Sequence, residues 1–216
     1  DFITEAIYAT LKANGMSDGA HIRLTLTRGE KITSGMDPRL NQSGCTLIVL
    51  AEWKAPVYQN AITLITSSIR RNGPANIDSK IHHNNLINNI LAKIEANNAG
   101  ADDALMLDNN GFVAETNACN IFMIKNGMLF TPNADACLPG ITRKTVITLC
   151  QQNNIPIHLK NISLTEMYNA DQVFTTGTMG ELTAVKMIDG RAIINRSGTD
   201  LLQHINDLFR NLTLAL

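Results

Sequence analysis

Two short loops contain the residues that are best suited to bind an anion. Residues 139–142, Pro-Gly-Ile-Thr, precede a predicted helix, whose first backbone N–H groups and dipole attract a group such as phosphate. Residues 177–180, Gly-Thr-Met-Gly, follow a predicted buried strand and offer a hydroxyl beside small residues. Each loop alone is also compatible with a plain turn. Together they predict one phosphate site that is assembled from two loops.

Common catalytic and metal-binding motifs are absent from the sequence. It contains no G-x-S-x-G, Walker, G-x-G-x-x-G or H-E-x-x-H pattern. His82 and His83 are adjacent, and neighbours on a strand point to opposite faces, so we expect no metal site. The cysteines have no paired spacing, which argues against disulfides and zinc and predicts a reducing compartment, the cytoplasm. They are Cys45, Cys119, Cys137 and Cys150.

Composition and charge exclude several classes of protein. The 216 residues are 44% hydrophobic and 17% charged, which predicts a folded chain with a buried core. A formal net charge of -1 predicts no nucleic-acid partner and no anionic membrane partner. No apolar run approaches the roughly 20 residues of a membrane-spanning helix. The chain starts at Asp1 without a methionine, and we expect that part of the protein lies upstream.

Apolar periodicity predicts a mixed α/β (α+β) fold in two domains, over residues 1–54 and 55–216. The first domain is predicted to have a helix over 2–14 and strands over 21–28 and 46–51. A connector over 52–60, which contains Pro56, is predicted to link the two domains. Hairpin turns are predicted at Asn-Asn-Gly, 109–111, and Asn-Gly, 126–127. The second domain is predicted to have helices over 85–99, 139–152 and 200–212, a short capped helix from 163, and strands at 61–66, near 105, 113 and 122, and at 155–159, 173–176 and 184–188.

Three longer segments of the sequence form a recognisable set: Gly-Phe-Val-Ala-Glu-Thr-Asn-Ala-Cys-Asn-Ile-Phe at 111–122, Leu-Pro-Gly-Ile-Thr-Arg at 138–143, and Thr-Gly-Thr-Met-Gly-Glu-Leu-Thr-Ala-Val at 176–185. They resemble the class IV (fold type IV) pyridoxal-phosphate aminotransferases, and the likeness follows in family order from the first helix to the last. The family includes branched-chain aminotransferases, D-amino acid aminotransferases and aminodeoxychorismate lyases, and this sequence looks most like the branched-chain group.

The resemblance implies that pyridoxal 5′-phosphate is the cofactor, in a cleft between the two domains. Glu115 is expected to pair with the pyridine nitrogen and keep it protonated, so that the ring accepts the electrons of a carbanion. Ile141, Thr142 and Thr178 are expected to bind the phosphate. Asn120 is expected to contribute to cofactor binding as well.

The substrate residues are also implied by the resemblance. Backbone N–H groups of Met179 and Gly180 would meet the cofactor or the substrate carboxylate. Arg28 resembles the substrate-carboxylate arginine of the D-amino acid group, and Arg23 resembles an arginine of the branched-chain group on the same strand. Either arginine is equally compatible with an exposed strand position, so the substrate class stays open.

The main departure from the family pattern concerns the lysine that forms the family's Schiff base and moves the α-proton. Lys80 lies two residues before His82, which takes the usual lysine position in a gapless alignment, and Leu86 stands where branched-chain members have tyrosine. Residues two apart on a strand face the same side, so Lys80, helped by a bulge or by its long side chain, is expected to reach the pocket, form the Schiff base and move the α-proton. Alternatively, His82 replaces the lysine and the cofactor is bound non-covalently. A third reading is a non-catalytic relative.

The function that follows is reversible amino transfer from an amino acid, a branched-chain L-amino acid in the first instance, to a 2-oxo acid. A D-amino acid aminotransferase or an aminodeoxychorismate lyase on the same fold is the alternative. By analogy with the family we expect a homodimer. The resemblance begins partway into the family's N-terminal domain, so residues 1–54 read as the remainder of it. The family's Arg-rich segment, which supplies an arginine to the cofactor phosphate, is absent from this sequence, so we expect residues 1–216 alone to bind the cofactor weakly.

Overall fold

A computed structural model describes residues 1–55 and 57–215. The chain divides into two compact units, Asp1–Pro56 and Val57–Leu216. Pro56, which the sequence places inside a connector, lies outside the described residues. Within the described ranges, no helix has the length and the apolar character that crossing a membrane requires.

Within residues 1–55, the first unit contains an α-helix, a short 3-10 helix over Pro38–Leu40 and a two-stranded antiparallel sheet. Helix α1 spans Phe2–Ala13, strand β1 Ala20–Thr27 and strand β2 Thr46–Trp53. The Asp1 side chain accepts a hydrogen bond from the Ile3 backbone N–H at 2.9 Å, so it caps α1. The helix and both strands confirm the predicted elements of this part of the chain.

Among residues 57–215, the second unit is built on a nine-stranded mixed sheet. The strands are β3 Ile62–Thr66, β4 Asp103–Leu107, β5 Val113–Thr116, β6 Asn120–Lys125, β7 Met128–Thr131, β8 Ile157–Leu159, β9 Gln172–Gly177, β10 Glu181–Ile188 and β11 Arg191–Ala192. Their order is β5-β4-β3-β10-β9-β6-β7-β8, and β11 also pairs with β10. The pairs β3–β10, β3–β4 and β7–β8 are parallel and the others are antiparallel. The helices are α2 Ile87–Asn98, α3 Ile141–Gln152, α4 Leu164–Tyr168 and α5 Leu201–Leu214.

Apolar side chains on the strands hold the helices against the sheet. Phe122 on β6 and Phe174 on β9 are fully buried, and their stacked rings have centroids 5.0 Å apart. They share a core cluster with Val146 of α3 and Ile205 of α5. This packing fixes α3, and therefore its N-terminus, against the middle of the sheet.

Both predicted hairpins are present. Asn126 and Gly127 join β6 to β7 with φ angles of 51° and 72°, the left-handed values that the Asn-Gly turn requires. The turn at 109–111 joins the antiparallel strands β4 and β5. The strand expected near residues 80–83 is wrong, because Ser79 and Lys80 form a turn and the chain stays irregular until α2 begins at Ile87.

Candidate active site

Glu115 is a buried carboxylate on β5, with 4% of its surface exposed. Its Oε1 lies 2.7 Å from Nη2 of Arg71, and its Oε2 accepts a hydrogen bond from Nδ2 of Asn120 at 3.1 Å. Burial raises the pKa of Glu115, and Arg71, a backbone hydrogen bond at Leu138 and the more distant Arg143 lower it. Burial is the largest of these effects, and the resulting pKa is about 7. The carboxyl group therefore ionises near neutral pH.

Asn120, the first residue of β6, connects Glu115 to the loop before α3. Its Nδ2 also donates to the Leu138 carbonyl oxygen at 2.8 Å. A Cβ atom at Gly140 would lie 2.2 Å from Asn120 Oδ1, so this close approach requires glycine. Gly140 is the N-cap of α3, and among the described residues no side chain caps this helix. Its first N–H groups are therefore open to an external acceptor.

The second predicted anion loop lies beside the same asparagine. Thr176 on β9 is the ladder partner of Asn120, and residues 178–180 connect β9 to β10. A Cβ atom at Gly177 would lie 2.9 Å from Cys119 Sγ. The structure thus brings both predicted loops to Asn120, one through its side chain and the other through the strand register. Phosphate binding by Ile141, Thr142 and Thr178 stays a prediction.

Two neighbouring cavities lie beside the turn between β5 and β6. The Glu115 cavity, of about 200 Å³, is lined by Arg71, Glu115, His82 and Leu138 among others. The adjoining cavity, of about 490 Å³, is lined by residues that include Thr178, Met179 and Gly180. Asn117 and Ala118, in the turn between β5 and β6, line both. The two cavities therefore meet at the turn that follows Glu115.

Lys80 is not among the residues that line either cavity. Its side chain is 43% exposed, and its Nζ lies 3.4 Å from Asp78 Oδ1. The argument that Lys80 and His82 face one side of a strand is therefore wrong, because this segment is a turn. Its covalent role stays a prediction.

His82 and His83 both line the Glu115 cavity, although the sequence predicts that they point to opposite faces. That expectation is wrong for the same reason, since it assumes a strand. Across residues 1–55 and 57–215, no three His, Cys, Asp or Glu side chains are grouped as a metal site requires.

The two candidate substrate arginines belong to the first unit. Arg23 is exposed on β1, and Arg28 is exposed directly after this strand. Their roles in substrate binding stay predictions. Met179 and Gly180, by contrast, line the adjoining cavity of the second unit.

Arg71 is the site residue that the sequence does not reveal. Its side chain is 7% exposed, and besides Glu115 it contacts Asn89 of α2, with Nη1 2.9 Å from Asn89 Oδ1. The pair Arg70-Arg71 precedes a long irregular segment, and no local spacing connects it to Glu115. A pair of basic residues a few positions after the predicted strand at 61–66 is the one signal that points to it.

Comparisons with known proteins assign the family. Residues 1–188 match the family described as Amino-transferase class IV. The chain is 58% identical to branched-chain-amino-acid aminotransferase-like protein 2 of Arabidopsis thaliana, over 98% of the chain but 38% of that protein. The chain thus spans well under half the length of this relative.

Solved structures support the same assignment. The branched-chain amino acid aminotransferase of Escherichia coli superimposes with a TM-score of 0.88 at 29% identity, covering 98% of this chain and 71% of that one. The branched-chain aminotransferase of Thermoproteus uzoniensis, solved with norvaline, gives a TM-score of 0.88 at 30% identity, with coverages of 99% and 71%. The predicted mixed α/β, fold type IV architecture is confirmed. This chain belongs to the class IV aminotransferase family.

Proposed function

We propose that this protein binds pyridoxal 5′-phosphate and transfers the amino group of a branched-chain L-amino acid to a 2-oxo acid. The observation that carries the proposal is the buried Glu115, which lines a cavity and is hydrogen-bonded to Asn120, the residue beside which the two glycine-containing loops lie. Solved relatives support it, because a branched-chain amino acid aminotransferase is described with pyridoxamine 5′-phosphate and an aminotransferase of Brucella abortus with the cofactor PLP.

The residues present fit this cofactor. A carboxylate offers about four acceptor positions, so the contacts from Arg71, Asn120 and Leu138 leave room at Glu115 for a pyridinium N–H. The uncapped N-terminus of α3 suits a phosphate group. Thr176 Oγ1 is buried without a hydrogen-bond partner among the described residues, and a polar group bound between the two loops would supply one.

Each residue then has a defined task. When bound, the cofactor supplies the electron sink for the bond that breaks at the amino acid's α-carbon. Glu115 accepts the ring N–H and stabilises its positive charge. The N–H groups of Ile141 and Thr142 and the hydroxyl of Thr178 hold the phosphate. Lys80, once released from Asp78, would hold the cofactor and move the proton at the amino acid's α-carbon.

The adjoining cavity supports an apolar substrate side chain. Val57, Ala118 and Met179 contribute apolar surface to it, and a hydrophobic pocket gains free energy for each methylene group that it buries. Its polar residues include Lys93 and Asp103, which are paired at 3.1 Å. We assign the amino acid side chain to this cavity, with its carboxylate near the N–H groups of Met179 and Gly180.

Amino transfer assays test this function directly. With pyridoxal phosphate added, we expect turnover of L-leucine, L-isoleucine and L-valine with 2-oxoglutarate and little turnover of the D-enantiomers. Faster turnover of D-amino acids, or release of pyruvate from aminodeoxychorismate, would assign the chain to another branch of the family.

We also propose a cytoplasmic homodimer, on the family analogy; light scattering that gives a monomeric mass would contradict the dimer.

A second candidate is a non-catalytic, cofactor-binding relative. The exposed Lys80, which is paired with Asp78 and absent from the cavity lining, favours it. This candidate predicts that pyridoxal phosphate binds to the folded protein but that no substrate is turned over. The same assay, accompanied by a binding titration, separates the two candidates.

A further inference from the structure

Arg71 is held in a fixed position between two elements of the second unit. Its backbone N–H donates to the Leu107 carbonyl oxygen of β4 at 2.9 Å. One terminal nitrogen contacts Glu115 at 2.7 Å and the other contacts Asn89 at 2.9 Å. Asn89 is itself held by a hydrogen bond from its Nδ2 to the Asn117 carbonyl oxygen at 2.7 Å. The guanidinium therefore has both its position and its plane determined.

We propose that Arg71 is a positioning residue that keeps Glu115 in its carboxylate form and presents that carboxylate to the ring nitrogen of the cofactor. This inference rests on the proposed function, because it concerns the same site. Its basis is geometric: both side chains are buried, they are in direct contact, and both line the Glu115 cavity. An isolated buried carboxylate would become protonated instead of bearing an unpaired charge.

No other positive group among the described residues contacts Glu115. The Arg143 side chain is directed to the Pro132 carbonyl oxygen at 2.8 Å and acts on Glu115 only at longer range. Burial raises the pKa of the thiols of Cys119 and Cys137 to about 12, so they are neutral. His82 and His83 line the same cavity but form no ion pair with Glu115. The charge that balances Glu115 is therefore that of Arg71.

The consequence for the cofactor follows from the protonation state. A protonated Glu115 could not stabilise a positive charge on the ring nitrogen, and the ring would accept electrons less readily. Removing the positive charge at position 71 should therefore affect the bound cofactor through Glu115, although Arg71 itself would not touch the ring.

The test uses Arg71→Met, Arg71→Lys and the matched control Arg70→Met, since the Arg70 side chain is exposed, donates to the Ser67 carbonyl oxygen and lines neither cavity. The first readout needs no cofactor: the Glu115 carboxyl is titrated by NMR of ¹³C-labelled glutamate. We expect Arg71→Met to raise its pKa by about one unit or more, and the other two variants to leave it within a few tenths. An unchanged titration in folded Arg71→Met protein would overturn the proposal.

The second readout is the absorbance of bound pyridoxal phosphate as a function of pH. Arg71→Met should shift the ring-nitrogen titration to lower pH and weaken binding by roughly tenfold, the equivalent of one pKa unit, with rescue by Arg71→Lys. An unshifted titration of the bound ring would overturn the proposal.

If Arg71→Met does not fold, the double variant Arg71→Met/Glu115→Gln removes both charges and should restore folding; its failure to do so would contradict the charge-balance argument.

The two readouts also separate this inference from the proposed function. A protein that shows the expected Glu115 titration but binds no pyridoxal phosphate would contradict the proposed function and leave the charge balance of Glu115 supported. A protein that binds the cofactor without any effect of Arg71→Met on Glu115 would contradict the inference alone.

Discussion

Gly140 and Asn120 are so close that a Cβ atom at Gly140 would lie 2.2 Å from Asn120 Oδ1. The same Asn120 side chain donates to Glu115 and to the Leu138 carbonyl oxygen. One amide group therefore connects the N-terminus of α3 to the Glu115 carboxylate, which Arg71 contacts from its other oxygen. In the proposed function, this contact fixes the distance between the phosphate end and the ring end of the cofactor site.

Gly140→Ala should therefore damage the site more than an ordinary glycine substitution. The added methyl group must displace Asn120, and we expect a destabilisation of about 1–3 kcal/mol, the usual cost of overpacking, together with weaker cofactor binding. Gly73→Ala is the control, because its Cβ would lie 3.2 Å from the end of the Asn109 side chain. Denaturant unfolding and a cofactor titration measure both effects; equal behaviour of the two variants would contradict the account of Gly140.

Ionisation of Glu115 should make the free energy of unfolding depend on pH. Its pKa is raised to about 7 in the folded chain, compared with about 4.3 in an unfolded one, so the folded state binds more protons between these values. The contribution of Glu115 to the free energy of unfolding should therefore fall as pH rises from about 4.3 to about 7, by an amount on the order of 4 kcal/mol, and be constant above.

Glu115→Gln should remove this part of the pH dependence. Urea unfolding at half-unit pH steps gives, for each protein, the slope of the free energy of unfolding against pH. The substitution also leaves Arg71 without its partner, but this cost does not depend on pH, so it does not affect the difference between the slopes. Parallel curves for the wild type and Glu115→Gln would show that Glu115 ionises with an ordinary pKa.

The adjoining cavity should control which amino acids are accepted. Ala118→Leu places a larger side chain where the two cavities meet, so we expect the KM for L-leucine to rise by about 10-fold or more and the KM for L-alanine to change less. Ala99→Leu is the control, since Ala99 is exposed and lines neither cavity. Equal changes of KM for both substrates would place the substrate side chain elsewhere.

The ion pair between Asp78 and Lys80 should restrain the lysine. Asp78→Asn removes a partly exposed pair, so the free energy of unfolding should change by less than about 1 kcal/mol. Covalent attachment of pyridoxal phosphate should become faster, which stopped-flow absorbance measures. Asp37→Asn, in the exposed Asp37–Arg39 pair of the first unit, should leave the rate unchanged. A slower attachment in Asp78→Asn would mean that Asp78 assists Lys80.

Local sequence signals predict much of the fold and part of the site. The Asn-Gly hairpin at 126–127, the alternation in β1 and the Pro-Gly before α3 act over a few residues, and the structure confirms these elements. In each case, neighbouring residues contain the information that determines the backbone. The two loops predicted to share a phosphate site both lie beside Asn120, and phosphate binding there stays a prediction.

The remaining features depend on contacts between distant residues. Arg71 meets Glu115 across the sheet, and neither residue has a local pattern that reveals the other. The segment around Lys80 has no periodicity of its own, so the strand assumed for it was taken from the family, and the predicted directions of Lys80, His82 and His83 failed with it. Irregular segments obtain their shape from what they pack against.

The covalent partner of the cofactor is the most direct test of the central claim. Protein loaded with pyridoxal phosphate is reduced with borohydride and digested, and the modified peptide is identified by mass spectrometry, with Lys80→Arg and Lys93→Arg as matched variants. We predict that the label is on Lys80, that Lys80→Arg abolishes it and that Lys93→Arg retains it. A label on Lys93, or a bound cofactor with no labelled lysine, would contradict the proposed role of Lys80.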